Sequence, residues 1–107
     1  METNRFAIAL TTTGSMEEAT KIAEHLVTQH LVACVNIVSS IRSIYWWKDS
    51  VQQDDELLMI MKTERKMIPR IEEAIRSLHS YDVPELVVLP IEDGLPEYLK
   101  WIGDSLA

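Results

Sequence analysis

The chain has 107 residues, of which 47% are hydrophobic and 25% are charged, a composition typical of one globular domain with a single core. Its formal net charge of −7 argues against nucleic acid and anionic membranes as partners, because both select basic surfaces. We therefore expect residues 1–107 to form one domain that binds neither partner.

Three features predict a cytoplasmic location. No stretch reaches the roughly 18 consecutive apolar residues of a membrane span. Residues 1–5 show neither the basic start nor the apolar core of a signal peptide. Cys34 is the single cysteine, so no disulfide can form within the chain, as expected in a reducing compartment.

The N-terminal third predicts a strand followed by a helix. Residues 6–12 are rich in Ile, Leu and Thr, which favour a strand, and a turn-forming segment ending at Gly14 follows. Ser15 and Glu18 have the spacing of a helix capping box. The apolar residues that come next recur on one helical stripe to about Gln29, so they predict a helix that packs on the core.

A long central strand is predicted for residues 31–47, because this stretch is too β-branched and aromatic for a helix. Both of its alternating faces are mostly apolar, so both must be covered. The two serines at residues 39–40 predict a bend or bulge, from which the rest of the strand projects. Residues 48–50 then turn the chain into a returning strand over residues 51–62, which is polar in its first half and apolar in its second.

The C-terminal part predicts a helix, a strand and a second helix. A stripe of Ile and Leu predicts a helix over residues 68–79, where Pro69 is tolerated because it lies near the first turn. Residues 80–84 predict a loop, and residues 85–91 predict a strand that is apolar on both faces. The segment that contains Pro96 predicts the start of a short helix.

The predicted order β-α-β-β-α-β, with a short C-terminal helix, is that of the ferredoxin-like α+β sandwich. Right-handed crossovers place both main helices on one face of a four-stranded antiparallel sheet. Three strands are apolar on both faces, so the helix-free face would expose more hydrophobic surface than a soluble monomer usually tolerates. We therefore expect an oligomer, in which the projecting hairpin of residues 41–55 pairs with the sheet edge of a neighbouring subunit.

Five short motifs are spread over nearly the whole chain. They are ACVNI at 33–37, SIYWW at 43–47, Glu56 with Lys62-Thr63, HSYDVPE at 79–85 and YLKWI at 98–102. Together, and in this order, they resemble the CutA family of divalent-cation tolerance proteins. The resemblance implies a ferredoxin-like subunit in a tight homotrimer similar in architecture to the PII signalling proteins, a link to copper and other divalent metals, and no established catalytic reaction.

The chain departs from that family's pattern at two positions. Asp49 stands in the hairpin turn where the family commonly has Gly, a change that the turn tolerates because Asp adopts left-handed geometry better than most residues. Thr11 stands where some bacterial relatives have a cysteine proposed to bind copper. A site with several thiolates within one chain is therefore excluded.

Two residues are candidate metal ligands. The Cys34 thiolate is soft enough for Cu(I), but the residue is also interpreted as a small buried hydrophobe, because free cysteines are among the most buried residues. His79 is a second candidate, although a histidine at a helix C-terminus is stabilised by the helix dipole and needs no metal. Copper is the metal that we expect first.

A polar cluster is predicted from Glu56, Lys62, His79, Tyr81 and Glu85, which are expected to converge at a sheet edge or across a subunit interface. One interpretation is a charged network that only fixes the geometry of the loop and the trimer. The other is a cleft that binds a metal ion or a small anion.

An aromatic set is predicted at the trimer interface. It comprises Tyr45, Trp46, Trp47 and Trp101. Large aromatic side chains anchor interfaces more often than they stack on ligands, so packing between subunits is the interpretation that we favour.

Three functions compete on these observations. The first is a trimeric metal-binding protein of divalent-cation tolerance. The second is a PII-like signalling or scaffold module that binds a small ligand or a protein partner at subunit interfaces. An enzyme comes last, because the sequence shows no nucleophile with a base, no Gly-rich phosphate loop and no metal-hydrolase spacing. No organic cofactor is expected.

Overall fold

The computed structural model describes residues 5–107, which form a four-stranded antiparallel sheet and three α-helices. The elements are β1 (Phe6–Thr13), α1 (Met16–Thr28), β2 (Cys34–Trp47), β3 (Ser50–Glu64), a 3-10 helix (Arg65–Met67), α2 (Ile68–Leu78), β4 (Val87–Pro90) and α3 (Pro96–Asp104). The strand order β2-β3-β1-β4 confirms the predicted β-α-β-β-α-β arrangement with a C-terminal helix.

The prediction that residues 1–5 contain no leader falls mainly on residues 1–4, outside the described part. Within residues 5–107, no helix combines the length and the apolar character that a membrane span needs.

Two strands are shorter than predicted. β2 begins at Cys34 rather than at residue 31, because Leu31 and Val32 are drawn into the core between α1 and the sheet. β4 begins at Val87, whereas the strand was predicted from residue 85. The hydroxyl of Thr11 donates to the carbonyl of Glu85 at 2.7 Å, so a side chain replaces the backbone ladder at this point.

The start of α1 follows only half of the predicted capping box. The Ser15 hydroxyl accepts a hydrogen bond from the backbone N–H of Glu18 at 3.2 Å, as an N-cap residue should. The Glu18 carboxylate does not return to Ser15. It accepts the N–H of Ser80 at 3.0 Å and so ties α1 to the loop after α2.

One face of the sheet is closed by α1 and α2. Every second residue of β1 and β3 points to this face and meets the apolar stripes of the two helices. The centre of this core consists of Ala9, Ile22, Leu26, Met59, Met61, Ile71 and Ile75, all of them buried. Two helices therefore cover one side of the sheet and leave the other to different elements.

The opposite face is covered only at one end. There α3 lies against Phe6 and Glu64, and a Cβ at Gly103 would come within 2.9 Å of a carboxylate oxygen of Glu64. The rest of this face keeps apolar side chains in contact with solvent, since Val38 is 43% exposed and Val87 is 44% exposed. The apolar strip predicted on the helix-free face is therefore present.

The β2–β3 hairpin continues well beyond the body of the sheet. Its register shifts between Val38 and Ile41, and Ser40 has φ 65°, so the bulge predicted at residues 39–40 is confirmed. At the tip, Lys48 and Asp49 have φ values of 49° and 64°, the pattern of a two-residue type I′ turn. Asp49 thus adopts the left-handed geometry predicted for it.

Asp49→Gly should stabilise the tip of the hairpin, because glycine adopts positive φ without the roughly 1 kcal/mol that this geometry costs an L-residue. Asp49→Val should destabilise the tip, since a β-branched side chain fits positive φ poorly. Amide hydrogen exchange over residues 45–52 measures the effect directly. Equal protection in the two variants would show that the turn does not limit the stability of the tip.

Candidate functional site

A cleft of about 640 Å³ lies at the root of the hairpin, between β2 and the loop that follows α2. Its walls are formed by Thr12, Ser43, Ile44, Tyr45, Trp47, Glu56, Tyr81, Asp82, Val83 and Glu85. Three of these residues are acidic and none is Lys or Arg. The cleft is therefore a negatively charged cavity with aromatic walls.

Glu56 is the most enclosed charged group of the cleft. It is only 8% exposed, and its Oε2 accepts a hydrogen bond from the Tyr81 hydroxyl at 2.7 Å. In the part of the chain that the structure describes, no Lys, Arg or His lies within ion-pair distance of Glu56. Its negative charge is balanced by a hydroxyl dipole and not by a cation.

His79 fixes the loop that carries Tyr81. Its Nε2 donates to the carbonyl of Thr12 at 2.6 Å, and its Nδ1 accepts the backbone N–H of Tyr81 at 3.1 Å. This pattern of bonds is that of the tautomer with its proton on Nε2, and the ring lies 4.5 Å from the Tyr81 ring, centroid to centroid. Because both nitrogens are bonded, His79 would have to give up one of these bonds to ligate a metal.

The cleft raises the pKa values of two of its acidic groups, the Tyr81 hydroxyl and the Glu85 carboxyl. Burial, and then the bond to Glu56, raise the pKa of Tyr81 well above its ordinary value. Partial burial, and then the charge of Glu56, raise the pKa of Glu85. Each added negative charge in this cavity is thus unfavourable, and an added positive charge would be favourable.

The structure brings together four of the five residues of the predicted polar cluster. Glu56, Tyr81 and Glu85 line the cleft, and His79 accepts a hydrogen bond from the backbone N–H of Tyr81. Within one chain, Lys62 lies apart from the other four. It lies six residues along β3 from Glu56, or about 20 Å at the rise of a strand, and its ammonium group donates to the Asn36 side chain.

Cys34 lies at the other end of the sheet, opposite Lys62 in the ladder. It is half-buried, with its Sγ 3.9 Å from the Tyr98 hydroxyl and 4.0 Å from Oδ1 of Asn36. Burial, and then the bond to Cys34, raise the pKa of Tyr98. The thiol is thus neither sealed in the core nor free on the surface.

The two candidate metal ligands do not meet within one chain. His79 bonds Thr12, which pairs with Leu58, whereas Cys34 pairs with Lys62 four residues farther along β3. Within residues 5–107, no group of three or more His, Cys, Asp or Glu side chains is arranged to hold a metal ion.

The aromatic residues predicted at the trimer interface lie in three separate places on one chain. Tyr45 and Trp47 line the cleft. Trp46 is 73% exposed on the opposite face of the hairpin, where it pairs with Val51. Trp101 lies on α3, 5.4 Å from the ring of Tyr98, at the far end of the sheet.

Sequence reasoning missed five lining residues of the cleft, which are Thr12, Ser43, Ile44, Asp82 and Val83. Strand parity could have identified Ser43, because it shares a face with Tyr45 and Trp47. No pattern in the sequence signals that the loop after α2 folds back over the hairpin. That contact depends on the tertiary bonds of His79.

Comparison with known proteins gives a consistent result. The family model of the CutA1 divalent ion tolerance proteins matches residues 7–105. The chain is 45% identical over 98 residues to the divalent-cation tolerance protein CutA of Thermus thermophilus, and the match covers 92% of this chain and 95% of that protein. It is 42% identical to mouse protein CutA over 88% of this chain, and 39% identical to a chloroplastic rice CutA 1 over 92%. The chain spans about half the length of these two eukaryotic relatives, 53% and 55%.

Solved structures agree with the sequence comparison. The structure of the Thermus thermophilus divalent cation tolerance protein is similar, with a TM-score of 0.93 at 43% identity, and the match covers 95% of this chain and 99% of that one. A CutA from Archaeoglobus fulgidus described as periplasmic is also similar, with a TM-score of 0.91 at 36% identity, covering 94% of this chain and 97% of that one.

The raised pKa of Glu85 gives a pH-dependent prediction. The folded chain binds this proton more tightly than the unfolded chain, so the stabilisation is complete below the ordinary glutamate pKa of 4.5 and is lost as the pH rises through the raised value. Glu85→Gln should therefore gain in melting temperature over the parent as the pH rises above the ordinary glutamate pKa. Glu97→Gln, at an exposed carboxyl on α3, is the control. A difference between parent and Glu85→Gln that stays constant with pH would contradict the prediction.

Proposed function

This chain belongs to the CutA1 divalent ion tolerance family, and on that premise we propose that it acts in divalent-cation tolerance as a homotrimer that binds copper or a similar metal ion. Its relatives are named as tolerance proteins and not as enzymes. The observation that carries the proposal is the apolar strip on the helix-free face of the sheet.

That strip consists of alternate residues from all four strands. It includes Leu10, Val38, Leu58, Ile60, Val87 and Leu89, of which Val38, Val87 and Leu89 are each more than 40% exposed. A contiguous apolar surface of this kind marks an interaction site in a soluble protein. Identical subunits cover it most simply by packing the same faces together about one axis. The number three comes from the family resemblance.

The hairpin beyond the bulge supports the same proposal. Ile44, Trp46 and Val51 are each more than half exposed, and both strands there pair only with each other. A two-stranded ribbon of this kind is only marginally stable alone. Among residues 5–107, no strand pairs with the outer edge of β4, so this edge offers a neighbouring hairpin a place to bind.

Cys34 is the ligand that we propose for copper. Its thiol is soft and half-buried, and it lies beside Tyr98 of α3, on the same face of the sheet as the apolar strip that assembly would bury. One thiol with an amide and a phenol nearby does not form a site by itself, and donors from a neighbouring subunit would complete it. His79 is less suited, because both of its ring nitrogens are bonded.

We also propose a cytoplasmic location, which the single cysteine supports. Relatives are described as chloroplastic or periplasmic, so the compartment varies among similar proteins. Location of a tagged chain in fractionated cells tests this point.

A second role is favoured by the cleft at the root of the hairpin. A PII-like module that binds a small ligand would need an enclosed cavity near a subunit interface, and the cleft has the volume and the converging polar groups of a ligand site. This role does not depend on metal binding at Cys34, because the cleft and Cys34 lie at opposite ends of the sheet.

Val38→Lys should weaken assembly, because it places a charge on the apolar strip that the trimer would bury. Val27→Lys is the matched control, since Val27 on α1 is 41% exposed and Val38 is 43% exposed. Sedimentation velocity should show the first variant dissociating at concentrations where the second remains trimeric. Equal behaviour of the two variants would place the interface elsewhere.

Cys34→Ser should lower the affinity for Cu(I) by roughly tenfold or more and that for Zn(II) less, because a hydroxyl is a poor ligand for a soft metal. Competition with a chromogenic Cu(I) chelator measures the affinity, and a thermal melt of the same variant measures stability. Loss of affinity with an unchanged melt supports ligation. A lower melting temperature with unchanged affinity would assign Cys34 a structural role only.

A further inference from the structure

Glu56 presents a buried negative charge that no positive group of residues 5–107 balances within ion-pair distance. One of its oxygens is bonded to the Tyr81 hydroxyl. The other has no hydrogen-bond partner in this part of the chain, yet no fully buried side-chain oxygen there lacks a partner. That second oxygen is therefore in contact with solvent, and Glu56 lines the cleft. A carboxylate in this position is costly unless a cation joins it.

The surroundings of Glu56 strengthen its preference for a cation. Asp82 and Glu85 line the same cavity, and no Lys or Arg does. The Lys48 ammonium lies 5.9 Å from the centroid of the Trp47 ring at the tip of the hairpin. This contact shows that the indole is already used as a cation acceptor within the chain.

The size and the walls of the cleft indicate an organic cation and not a bare metal ion. At about 640 Å³ the cavity is in the range of small-molecule sites, and the rings of Tyr45, Trp47 and Tyr81 form part of its wall. Aromatic faces attract ammonium groups and enclose the apolar parts of the same ligand. A divalent metal would need at least three closely spaced ligating groups, and residues 5–107 provide no such group.

We infer that the cleft binds an organic ammonium ion, with the Glu56 carboxylate as its counter-charge and the rings of Tyr45 and Trp47 as its apolar walls. This inference deepens the second role proposed above, the ligand-binding module. It is independent of metal binding at Cys34. Tyr81 acts as a positioning residue, since it holds the Glu56 carboxylate through its hydroxyl.

Three probes of nearly equal size and different charge test the inference on the full chain. Isothermal titration calorimetry near neutral pH compares benzylammonium, benzyl alcohol and benzoate. We expect benzylammonium to bind roughly tenfold or more tightly than benzyl alcohol, because the alcohol cannot make a charged hydrogen bond to Glu56. Benzoate should not bind. Equal affinity for the amine and the alcohol would overturn the inference, and so would a preference for benzoate or no binding of the amine.

Substitutions then locate the site. Glu56→Gln keeps the size of the side chain and can still accept the Tyr81 hydroxyl, but it removes the charge, so it should abolish the preference for the amine. Glu97→Gln on α3 is the charge-matched control. Trp47→Leu should weaken binding, whereas Trp46→Leu, on the opposite face of the hairpin, should not. If Glu56→Gln does not fold, Glu85→Gln provides the same comparison with a smaller expected loss.

Two further readouts separate this inference from the other proposals. Native mass spectrometry reports whether each variant keeps its oligomeric mass, and a Cu(I) titration reports on Cys34. Loss of benzylammonium binding in Glu56→Gln, with mass and Cu(I) affinity unchanged, supports the inference. Zn(II) that binds the parent, displaces benzylammonium from it and fails to bind Glu56→Gln would make the cleft a metal site and overturn the inference. Binding that appears only after Val38→Lys separates the subunits would show that a partner subunit fills the cleft, which also overturns it.

Discussion

The apolar character of both faces of one sheet is the constraint on which the rest of the molecule depends. Strand geometry sends alternate side chains to opposite faces, and α1 and α2 cover the face that carries Ala9, Met59 and Met61. On the other face α3 covers one end only, which leaves Val38 and Val87 in solvent. The burial that stabilises the subunit is therefore incomplete in a single chain, and a neighbouring chain of the same sequence is the partner that the geometry suits.

The two proposed sites lie at opposite ends of the sheet. At one end Cys34 lies near Lys62, Asn36 and Tyr98, on the face that assembly would bury. At the other end the bulge at Ser40 redirects the hairpin over the loop after α2, and the cleft forms between them. Metal binding and ligand binding are thus spatially separate proposals, and each can fail without the other.

Much of the fold could be predicted from local patterns. The order of elements, the bulge at residues 39–40 and the left-handed Asp49 follow from alternation, β-branching and turn chemistry, which act over a few residues. The site was harder to predict, because it depends on contacts between distant segments. Lys62 was placed with Glu56 because both lie on β3, although strand rise separates them by about 20 Å. The Glu18 carboxylate was assigned to its own helix end and instead binds Ser80, which no local pattern indicates.

The trimer is the central proposal, because it would cover the apolar strip and complete any metal site at Cys34. Sedimentation equilibrium of the unmodified chain at micromolar concentration measures it without a variant or a ligand. We expect a single species with three times the 12.3 kDa mass of one chain, unchanged on dilution through that range. A species with the mass of one chain would contradict the claim, because the apolar face of the sheet would then be stable in water without a partner.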